Sequence, residues 1–543
     1  MAEDTVYQAF VERAQRRPDA DFLCTEAVTA GAYGIEAATL SYGDALASIE
    51  SLRERYAAAG YGHGHRAGLL LENRPDFFLH WFALNALGVS VVPINNDLRS
   101  VELGYLLEHS ELCLVVGLEQ RFGDLRAAAA AGREPVLLRP DDSGPVAPPP
   151  LPAPRAGEPI TNASECALLY TSGTTGRPKG CVLSNDYFLL AGQWYAGIGG
   201  LCTLRDGAER LITPLPLTHM NAMAYSAMAM VKTGGCLVQL DRFHPGSWWQ
   251  SVRDTRATIV HYLGVMPAML IGAPPSADDA AHRVRFGFGA GVDRRQHAAF
   301  EERFGFPLLE AWAMTETGAG AVVIANREPR HVGQSCFGRA EAAVEWRLVD
   351  EEGLDVPTGS NGELLVRAAG ADPRRGFFSE YLKDEQATAE AWQGGWFHTG
   401  DLVRADADGN LFFVDRRKNV IRRSGENISA VEVESVLAQH PAVRAVGVAA
   451  TPDAVRGDEV LACIVLREPV DADDALRKLA EDLTRHALQQ LAYYKAPGYV
   501  AFVDALPLTL SQKVQRAQLK ALAATLPGTP RCVDTRALKK RSS

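Results

Sequence analysis

The chain has 543 residues, of which 47% are hydrophobic and 22% charged, with a formal net charge of −11. Because this length exceeds what one hydrophobic core supports, several packed subdomains are expected. The acidic balance argues against a broad nucleic-acid or anionic-membrane surface, since Lys and Arg provide those contacts. The nine cysteines include no CxxC pair, which favours reduced thiols over a zinc site or disulfide framework. With no signal-peptide core and no apolar run of about 18 residues, a cytoplasmic protein without a membrane span is expected.

The N-terminal region has the pattern of alternating helices and buried strands. Ser41 and Asp44 match a helix start, and Gly60 supplies a stop for that helix. Residues 66–71 then read as a strand, residues 76–87 as an amphipathic helix and residues 88–94 as a second strand. The alternation predicts an α/β domain with a largely parallel sheet.

The middle of the chain contains one interruption and one change of pattern. The Pro-rich stretch 139–159 is expected to be a surface connection within the large domain. The α/β pattern resumes at Cys166 and continues to about residue 345. Residues 344–349 and 362–367 are then strand candidates separated by turn signals, which predicts a β-rich subdomain.

After Asp415 the pattern changes again. Ser429 and Glu432 match a helix start, two strand candidates follow, and a helix is expected over 475–491. This block predicts a small α+β domain. The polar and basic tail after Leu526 is expected to be frayed.

The most informative segment runs from Leu168 to Gly180. An apolar run, expected to be a strand, leads into a loop rich in glycine and hydroxyl residues, with a lysine nearby. Backbone N–H groups, hydroxyls and an ammonium group can all donate to phosphate oxygens, and glycine permits close approach. The spacing is not that of the P-loop, so the usual kinase or GTPase inference does not apply. The segment predicts a phosphate-binding loop formed by Thr171, Ser172, Gly173, Thr174, Thr175, Gly176 and Lys179.

Residues 170–180, YTSGTTGRPKG, resemble the signature loop of the adenylate-forming superfamily. That superfamily includes acyl-CoA synthetases, peptide-synthetase adenylation domains and beetle luciferases. Further similar segments follow in the family's order, so the resemblance covers nearly the whole chain. Residues 179–185, 396–401 and 422–429 are most similar to crotonobetaine/carnitine–CoA ligases and related bacterial acyl-CoA ligases.

The resemblance implies an α/β fold with a large N-terminal domain over residues 1–414. That domain would hold mainly parallel sheets and a β-rich subdomain, and would bind ATP and the acid. A hinge is implied at residues 415–418, with Lys418 at the hinge position. A small, mobile α+β C-terminal domain would follow over residues 419–543.

The resemblance also implies the nucleotide contacts. In residues 310–316, EAWAMTE, Trp312 would offer a ring to adenine, Thr315 would reach the α-phosphate, and Glu316 would be the Mg²⁺ ligand. Trp312 and Ala313 stand where relatives usually have tyrosine and glycine, which is expected to narrow the acyl pocket. Asp401 would bind both ribose hydroxyls. The full adenine and ribose set is Ala290, Gly291, Glu310, Ala311, Trp312, Asp401 and Arg416.

The C-terminal residues complete the implied site. Lys513 falls at the family's catalytic lysine, next to Gln512 where relatives usually have glycine, and would act with Thr315 and Glu316. After rotation of the small domain, the loop over 421–429 would line the tunnel for the thiol. The tunnel residues are Arg422, Ser424, Gly425 and Glu426.

His219 lies where relatives carry a histidine or an aromatic residue beside the acyl pocket, although a hydrogen-bonded core histidine would fit the same pattern. The predicted pocket suggests a small or medium acid that is partly aromatic or unsaturated. Its residues are His219, Met220, Asn221, Tyr262, Phe288 and Met314.

The resemblance implies a two-step reaction that uses ATP, Mg²⁺ and coenzyme A. A carboxylic acid becomes acyl-AMP with release of pyrophosphate, and the acyl group then passes to coenzyme A. The expected partners are the small acid and coenzyme A, with neither nucleic acid nor membrane; the oligomeric state stays open, a homodimer among the alternatives. Three other readings also stay open. They are a carrier-protein thiol or an amine as acceptor, ATP-dependent activation of nitrite to diazotise an aromatic amine, and a non-catalytic nucleotide-binding homologue.

Overall fold

The computed structural model describes residues 4–130, 133–171, 178–416, 420–470, 472–507 and 514–540, without the side chains of residues 415, 416 and 420. The α-helices are α1 Val6–Arg16, α2 Ala27–Tyr33, α3 Tyr42–Ala59, α4 Asp76–Asn85, α5 Ser100–Ser110, α6 Phe122–Ala128, α7 Asn185–Gly197, α8 Met228–Thr233, α9 Trp248–Asp254, α10 Val265–Ile271, α11 His297–Phe304, α12 Glu385–Ala391, α13 Ala430–Leu437, α14 Asp473–Gln490 and α15 Arg516–Thr525. Short 3₁₀ turns cover Glu119–Arg121, Gly200–Cys202, Gln393–Gly395 and Arg536–Leu538, and a π-helical turn covers Asn221–Ala227.

The strands are β1 Asp21–Thr25, β2 Ala38–Ser41, β3 Arg66–Leu70, β4 Ser90–Pro93, β5 Leu114–Gly117, β6 Val136–Leu138, β7 Glu165–Thr171, β8 Lys179–Ser184, β9 Arg210–Thr213, β10 Cys236–Gln239, β11 Ile259–Leu263, β12 Phe286–Ala290, β13 Leu308–Trp312, β14 Val323–Ile324, β15 Cys336–Gly338, β16 Val344–Val349, β17 Asn361–Ala368, β18 Glu380–Tyr381, β19 Phe397–Ala405, β20 Leu411–Arg416, β21 Val420–Arg423, β22 Glu426–Ser429, β23 Val443–Asp453, β24 Gly457–Leu466, β25 Tyr499–Phe502 and β26 Cys532–Asp534.

Two large sheets form the α/β part of the molecule. The first has the order β14-β13-β12-β11-β9-β10-β1-β2, and the second has the order β18-β8-β7-β4-β3-β5-β6. Their inner strands are parallel, and antiparallel pairs occur only towards the edges. Strands β4 and β5 are buried on both faces, as expected of parallel strands covered by helices. The predicted mainly parallel α/β class is confirmed.

The two remaining sheets carry the rest of the chain. The third, β15-β20-β19-β17-β16, is antiparallel throughout and is the predicted β-rich subdomain. The fourth is built from β21 to β26, all from residue 420 onwards, and packs with α13 and α14 as the predicted α+β unit. This unit has a hydrophobic core of its own, which includes Ile421, Ile428, Val433, Ile464 and Leu483.

The local signals in the sequence position several elements correctly. Ser41 caps α3 by accepting a hydrogen bond from the backbone N–H of Asp44, and Gly60 ends the helix with a positive φ of 90°. The predicted helix over 76–87 ends slightly earlier, at Asn85, and the helix expected over 475–491 is α14. No helix or strand occurs in the Pro-rich stretch 139–159, all of which is described.

The prediction of a frayed tail after Leu526 is wrong for residues 527–540. Strand β26 pairs with β25, and Lys539 is buried with its ammonium group against Glu459. Glu459 also accepts hydrogen bonds from Arg423 at 2.8 and 2.9 Å. A buried carboxylate requires cationic partners, so Lys539 anchors the tail despite its polar composition.

Candidate active site

A cavity of about 320 Å³ lies where all four sheets meet. The carboxyl ends of β11, β12 and β13 form one wall. The last residue of β7 and the first residue of β8 form another. Strand β19 of the third sheet contributes Asp401, and the β21–β22 hairpin of the C-terminal unit closes the remaining side. Ligands of open α/β sheets bind at this edge of the strands, so the cavity is the candidate active site.

The phosphate-loop prediction falls only partly within the described residues. Thr171 and Lys179 both line the cavity, at the end of β7 and the start of β8. The Nζ atom of Lys179 lies 4.8 Å from the centre of the Tyr381 ring and 3.8 Å from Oδ2 of Asp384. Ser172, Gly173, Thr174, Thr175 and Gly176 lie outside the described residues. The two ends of the predicted loop therefore open onto the cavity.

Glu316 lines the cavity as predicted, next to Thr315. Its Oε1 atom accepts a hydrogen bond of 2.8 Å from the hydroxyl of Tyr381. Burial and the charge of Glu316 raise the pKa of Tyr381 well above its ordinary value, so the phenol stays protonated and donates. Tyr381 thus fixes the carboxylate of Glu316, and the sequence analysis did not identify it.

The predicted nucleotide residues Trp312 and Asp401 contact each other directly. The indole N–H of Trp312 donates to Oδ2 of Asp401 at 2.9 Å, and both residues are buried. The Trp312 ring stacks on Phe337 with a centroid distance of 6.0 Å and an interplanar angle of 28°. Because each carboxylate oxygen has two lone pairs, Asp401 can bind Trp312 and still accept hydrogen bonds from a ligand.

Glu310 supports the glycine turn beside the cavity. Its two carboxylate oxygens accept hydrogen bonds from the backbone N–H groups of Gly291, at 2.9 Å, and Val292, at 2.8 Å. Burial raises the pKa of Glu310, and the two N–H groups act in the opposite direction. Gly291 has a φ of 80°, a backbone conformation that residues other than glycine rarely adopt. Glu310 therefore shapes the turn, while Ala290, Gly291 and Ala311 line the cavity.

All six residues predicted for the acyl pocket line the cavity: His219, Met220, Asn221, Tyr262, Phe288 and Met314. Tyr225 also lines it and was not predicted. Behind this wall lies His261, which is fully buried and whose ring stacks on Phe288 at 4.7 Å. The first four residues of β11 are all buried, so the pattern of this strand gives no signal that His261 bonds to a pocket residue.

The C-terminal unit reaches the cavity through the turn between β21 and β22. Arg422, Gly425 and Asn427 line the cavity, and Ser424 and Gly425 have positive φ values of 50° and 91°. A Cβ atom on Gly425 would lie 2.1 Å from Cδ1 of Leu263, so any other residue would displace that side chain and would also have to adopt the positive φ. Glu426 does not line the cavity but lies 3.4 Å from Nε2 of His219.

A buried ion pair joins the two parts of the chain farther from the cavity. Nζ of Lys495 lies 2.6 Å from Glu102 Oε1 in α5 and 2.8 Å from Glu432 Oε1 in α13. Burial alone would lower the pKa of Lys495, but the two carboxylates raise it above its ordinary value. This charged cluster fixes the contact between α5 and the C-terminal unit.

Three predicted residues cannot be positioned. Lys513 and Lys418 lie outside the described residues, and so does the side chain of Arg416. Among the residues that are described, no group of three or more His, Cys, Asp or Glu side chains could hold a metal ion.

Comparison with known proteins identifies the family. A family model for AMP-binding enzymes matches residues 10–375, and the model for the C-terminal domain of these enzymes matches residues 432–513. The first match covers more than half of the chain. The chain belongs to the AMP-binding enzyme family.

This AMP-binding enzyme also has similar relatives. The crotonobetaine/carnitine–CoA ligase of Shigella sonnei (strain Ss046) is 32% identical over 494 residues, which are 88% of this chain and 93% of the relative. The predicted resemblance to adenylate-forming enzymes of the CoA-ligase type is confirmed, and the chain is an AMP-producing ligase of this type. The family implies the use of ATP and CoA. In the described part of this enzyme, no helix has the length and apolar character needed to cross a bilayer.

Two structures of one relative differ in their likeness to this AMP-binding enzyme. A double mutant of o-succinylbenzoate CoA synthetase from Bacillus subtilis, bound with the product analogue OSB-NCoA, has a TM-score of 0.79 at 25% identity, with 96% of this chain and 98% of that chain covered. The same synthetase with the acyl-adenylate intermediate OSB-AMP has a TM-score of 0.63 at 26% identity, with 95% and 98% covered. Since the coverage is nearly equal, this AMP-binding enzyme superimposes better on the product-analogue complex.

Proposed function

We propose that this enzyme joins a carboxylic acid to coenzyme A through an acyl-AMP intermediate, with release of pyrophosphate from ATP. One observation carries the proposal. A second cavity, of about 570 Å³, extends from the first along the boundary with the C-terminal unit. The two cavities share Leu263, Ala290, Gly291, Arg422 and Gly425. The first cavity would bind the nucleotide and the acid. Because it continues into a second cavity at the domain boundary, a long second substrate such as coenzyme A could reach it.

In the first step, a carboxylate oxygen of the acid attacks the α-phosphorus of ATP. A new P–O bond forms, the bond to the β-phosphate oxygen breaks, and pyrophosphate leaves with the electron pair. Lys179 and the loop that begins at Thr171 would donate to the phosphates, and Asp401 would accept from the ribose hydroxyls. Because the acid is already ionised at neutral pH, no protein base is needed, and the residues act by positioning and electrostatics.

The residues present also fit a magnesium ion. Mg²⁺ commonly binds one or two protein carboxylates together with substrate phosphates, so a large cluster of acidic residues is not required. Glu316 supplies such a carboxylate at the cavity, and the hydrogen bond from Tyr381 fixes its orientation. The ion would neutralise charge on the phosphate oxygens. Glu316 would hold it and Thr315 would lie beside it.

In the second step, the thiolate of coenzyme A attacks the acyl carbon. A C–S bond forms, the C–O bond to AMP breaks, and AMP leaves. The second cavity is lined by Arg295, Arg422 and Arg456, and guanidinium groups bind phosphates well. These arginines support a phosphate-bearing acceptor that enters along the domain boundary.

The two steps require different residues at one phosphate, and we infer that the C-terminal unit rotates about a hinge that includes Lys418. The turn of Arg422 and Gly425 faces the cavity in the arrangement described here. The higher TM-score to the product-analogue complex supports this as the thioester-forming arrangement. Lys513 would then reach the α-phosphate only in the other arrangement.

The proposal is tested by a screen for pyrophosphate release over a panel of acids, with and without coenzyme A. At least one acid is expected to release pyrophosphate, and coenzyme A is expected to convert the bound acyl-AMP into thioester and AMP. Lys513→Ala is expected to lose the first step and to retain thioester formation from supplied acyl-AMP. Turnover with an amine or a carrier protein, but not with coenzyme A, would contradict the choice of acceptor, and no release with any acid would contradict the reaction.

A further inference from the structure

A buried hydrogen-bond network lies directly behind the acyl wall of the cavity. The Nδ1 atom of His261 lies 2.8 Å from Oδ1 of Asn221 and 2.9 Å from Oγ of Ser226. The Nε2 atom of the same ring lies 3.0 Å from the hydroxyl of Tyr195. His261, Ser226 and Tyr195 are buried, whereas Asn221 is partly exposed and lines the cavity. Asn221 is therefore the member of the network that can contact a substrate.

A π-helical turn produces this arrangement. Residues Asn221–Ala227 form the turn, and Asn221 and Ser226 are five positions apart within it. In an α-helix, side chains five positions apart point about 140° away from each other. The i→i+5 bonding of a π-helix instead brings them onto one face, and such turns occur frequently at functional sites. Both side chains consequently reach the same nitrogen of His261.

The network determines which end of the Asn221 amide faces the cavity. The Tyr195 hydroxyl is buried, and its partner among the described residues is His261 Nε2, so the hydroxyl must donate and Nε2 must accept. Burial lowers the pKa of His261 to about 3, so the ring is neutral and carries its proton on Nδ1. This N–H donates to Oδ1 of Asn221. The amide oxygen is thus occupied, and no described residue accepts from the Nδ2 amino group.

The rest of this wall offers a ligand mainly apolar and aromatic surface. Phe288 stacks on His261, and Tyr225 lies 5.7 Å from Phe288 between ring centres. The hydroxyl of Tyr225 donates to the carbonyl oxygen of Gly318 at 3.0 Å, and that of Tyr262 donates to Leu309 at 3.3 Å. Neither hydroxyl has a proton left to donate to a substrate, so Asn221 supplies the fixed donor beside Tyr225 and Phe288.

The lysine and arginine side chains of the cavity lie away from this wall. Among its described lining residues, the lysine and arginine side chains are Lys179, which lies over the Tyr381 ring, and Arg422, in the C-terminal turn. His219 also lines the cavity, and when protonated it is paired with Glu426 at 3.4 Å. A second carboxylate on the acid would therefore have no unpaired cation among the described residues at the wall formed by Asn221, Tyr225 and Phe288. The wall fits a planar or unsaturated hydrocarbon body with a neutral polar group.

We propose that the acid has an aromatic or unsaturated body bearing a neutral hydrogen-bond acceptor, and that the Nδ2 amino group of Asn221 donates to this acceptor. The inference rests on the proposed function and specifies the substrate class of the same site. His261 and Tyr195 act as positioning residues, because they hold the amide with its donor end towards the cavity.

The test compares acids that differ in one atom. Methoxybenzoates and ethylbenzoates, substituted at each ring position, present an ether oxygen or a methylene group in nearly the same shape, and methoxycinnamates and ethylcinnamates extend the series. Acid-dependent pyrophosphate release is measured as kcat/KM for each pair, together with a dicarboxylic acid and a trimethylammonio acid. At the favoured ring position, the wild-type enzyme is expected to prefer the methoxy acid by roughly three- to tenfold, the effect of one neutral hydrogen bond.

Substitutions distinguish the role of the donor, Asn221, from that of the positioning residue Tyr195. Asn221→Leu is expected to bring the methoxy-to-ethyl ratio to about 1, and Asn221→Asp to reverse it, because a carboxylate oxygen would then face the ether. Tyr195→Phe removes the donor that fixes the His261 tautomer and is expected to lower the ratio without changing the KM for ATP. A purely structural role for Tyr195 would leave the ratio unchanged.

The outcomes distinguish this inference from the proposed function. Absence of pyrophosphate release with every acid of a broad panel would overturn the proposed function itself. Release with equal rates for methoxy and ethyl acids, or a preference that survives Asn221→Leu, would overturn only the role of Asn221. Release confined to dicarboxylic, cationic or saturated aliphatic acids would overturn the inferred substrate class.

Discussion

The indole N–H of Trp312 donates to Oδ2 of Asp401 at 2.9 Å, and this bond joins the first sheet to the antiparallel sheet at the edge of the cavity. The family resemblance implies a separate nucleotide contact for each residue. The structure adds that Trp312 holds the carboxylate that is proposed to bind ribose.

Trp312→Phe is expected to raise the KM for ATP by about three- to tenfold, because the aromatic ring remains while the hydrogen bond to Asp401 is lost. Initial rates at varied ATP measure the effect. Trp392→Phe is the matched control, since the Trp392 indole nitrogen is buried without a partner among the described residues. Equal changes in KM for the two variants would contradict the role assigned to Trp312.

Tyr381→Phe is expected to raise the Mg²⁺ concentration needed for half-maximal activity by about tenfold. The hydroxyl of Tyr381 fixes the Glu316 carboxylate, and loss of such a supporting hydrogen bond typically costs 10- to 100-fold in metal affinity. Tyr187→Phe provides the control, because that hydroxyl donates to the backbone carbonyl of Thr315 and not to the carboxylate. An unchanged Mg²⁺ requirement in Tyr381→Phe would argue against Glu316 as the metal ligand.

Glu102→Gln is expected to slow thioester formation from supplied acyl-AMP by roughly tenfold and to leave adenylate formation nearly unchanged. The glutamine keeps the shape of the side chain but removes the charge that binds Lys495 across the domain boundary, worth about 1–2 kcal/mol with Glu432 still in place. Single-turnover measurements of the two half-reactions separate the effects. Glu108→Gln on the exposed face of α5 is the control, and an equal loss in both half-reactions would refute the domain-docking role.

The contact of His219 with Glu426 predicts a pH dependence of domain docking. Burial alone would lower the pKa of His219, but the Glu426 carboxylate 3.4 Å away outweighs it and raises the pKa. Protonated His219 forms an ion pair with Glu426, and this pair stabilises domain docking. The stabilisation is complete below about pH 6.5, the ordinary pKa of histidine, and is lost as the pH rises through the raised pKa of His219.

The thioester half-reaction of the wild-type enzyme is therefore expected to exceed that of Glu426→Gln by about two- to fivefold at pH 6. The ratio should approach 1 at alkaline pH. Taking the ratio at each pH cancels the ionisation of the coenzyme A thiol, which affects both enzymes equally. A ratio that is constant from pH 6 to pH 9 would contradict the proposed ion pair.

Much of the fold could be predicted because its signals are local. The strand and helix alternation gave the parallel sheets, and the cap at Ser41 and the stop at Gly60 gave the ends of α3. The tail could not be predicted, because its order depends on the contact of Lys539 with Glu459, 80 positions earlier. Composition indicates that a segment is polar but does not reveal a buried partner.

In the candidate site, too, residues in local motifs could be predicted and residues that act through distant partners could not. Contiguous motifs identified Thr171, Lys179, Glu316 and Asp401, all of which line one cavity. Tyr381, His261 and Lys495 were missed because each acts through a partner 65, 40 or 393 positions away, with no spacing that a motif records. The acyl wall also depends on the π-helical turn Asn221–Ala227. Residue types alone do not predict that this turn departs from the α-helical repeat.

Acid-dependent exchange of labelled pyrophosphate into ATP, measured without coenzyme A, tests the formation of acyl-AMP most directly. This exchange requires reversible formation of acyl-AMP at the cavity. Exchange is expected with an acid that also supports thioester formation, and the exchange rate is expected to fall by at least 100-fold in Asp401→Ala or Glu316→Ala. No exchange with any acid that the enzyme converts, or full exchange in both variants, would contradict the formation of acyl-AMP at this cavity.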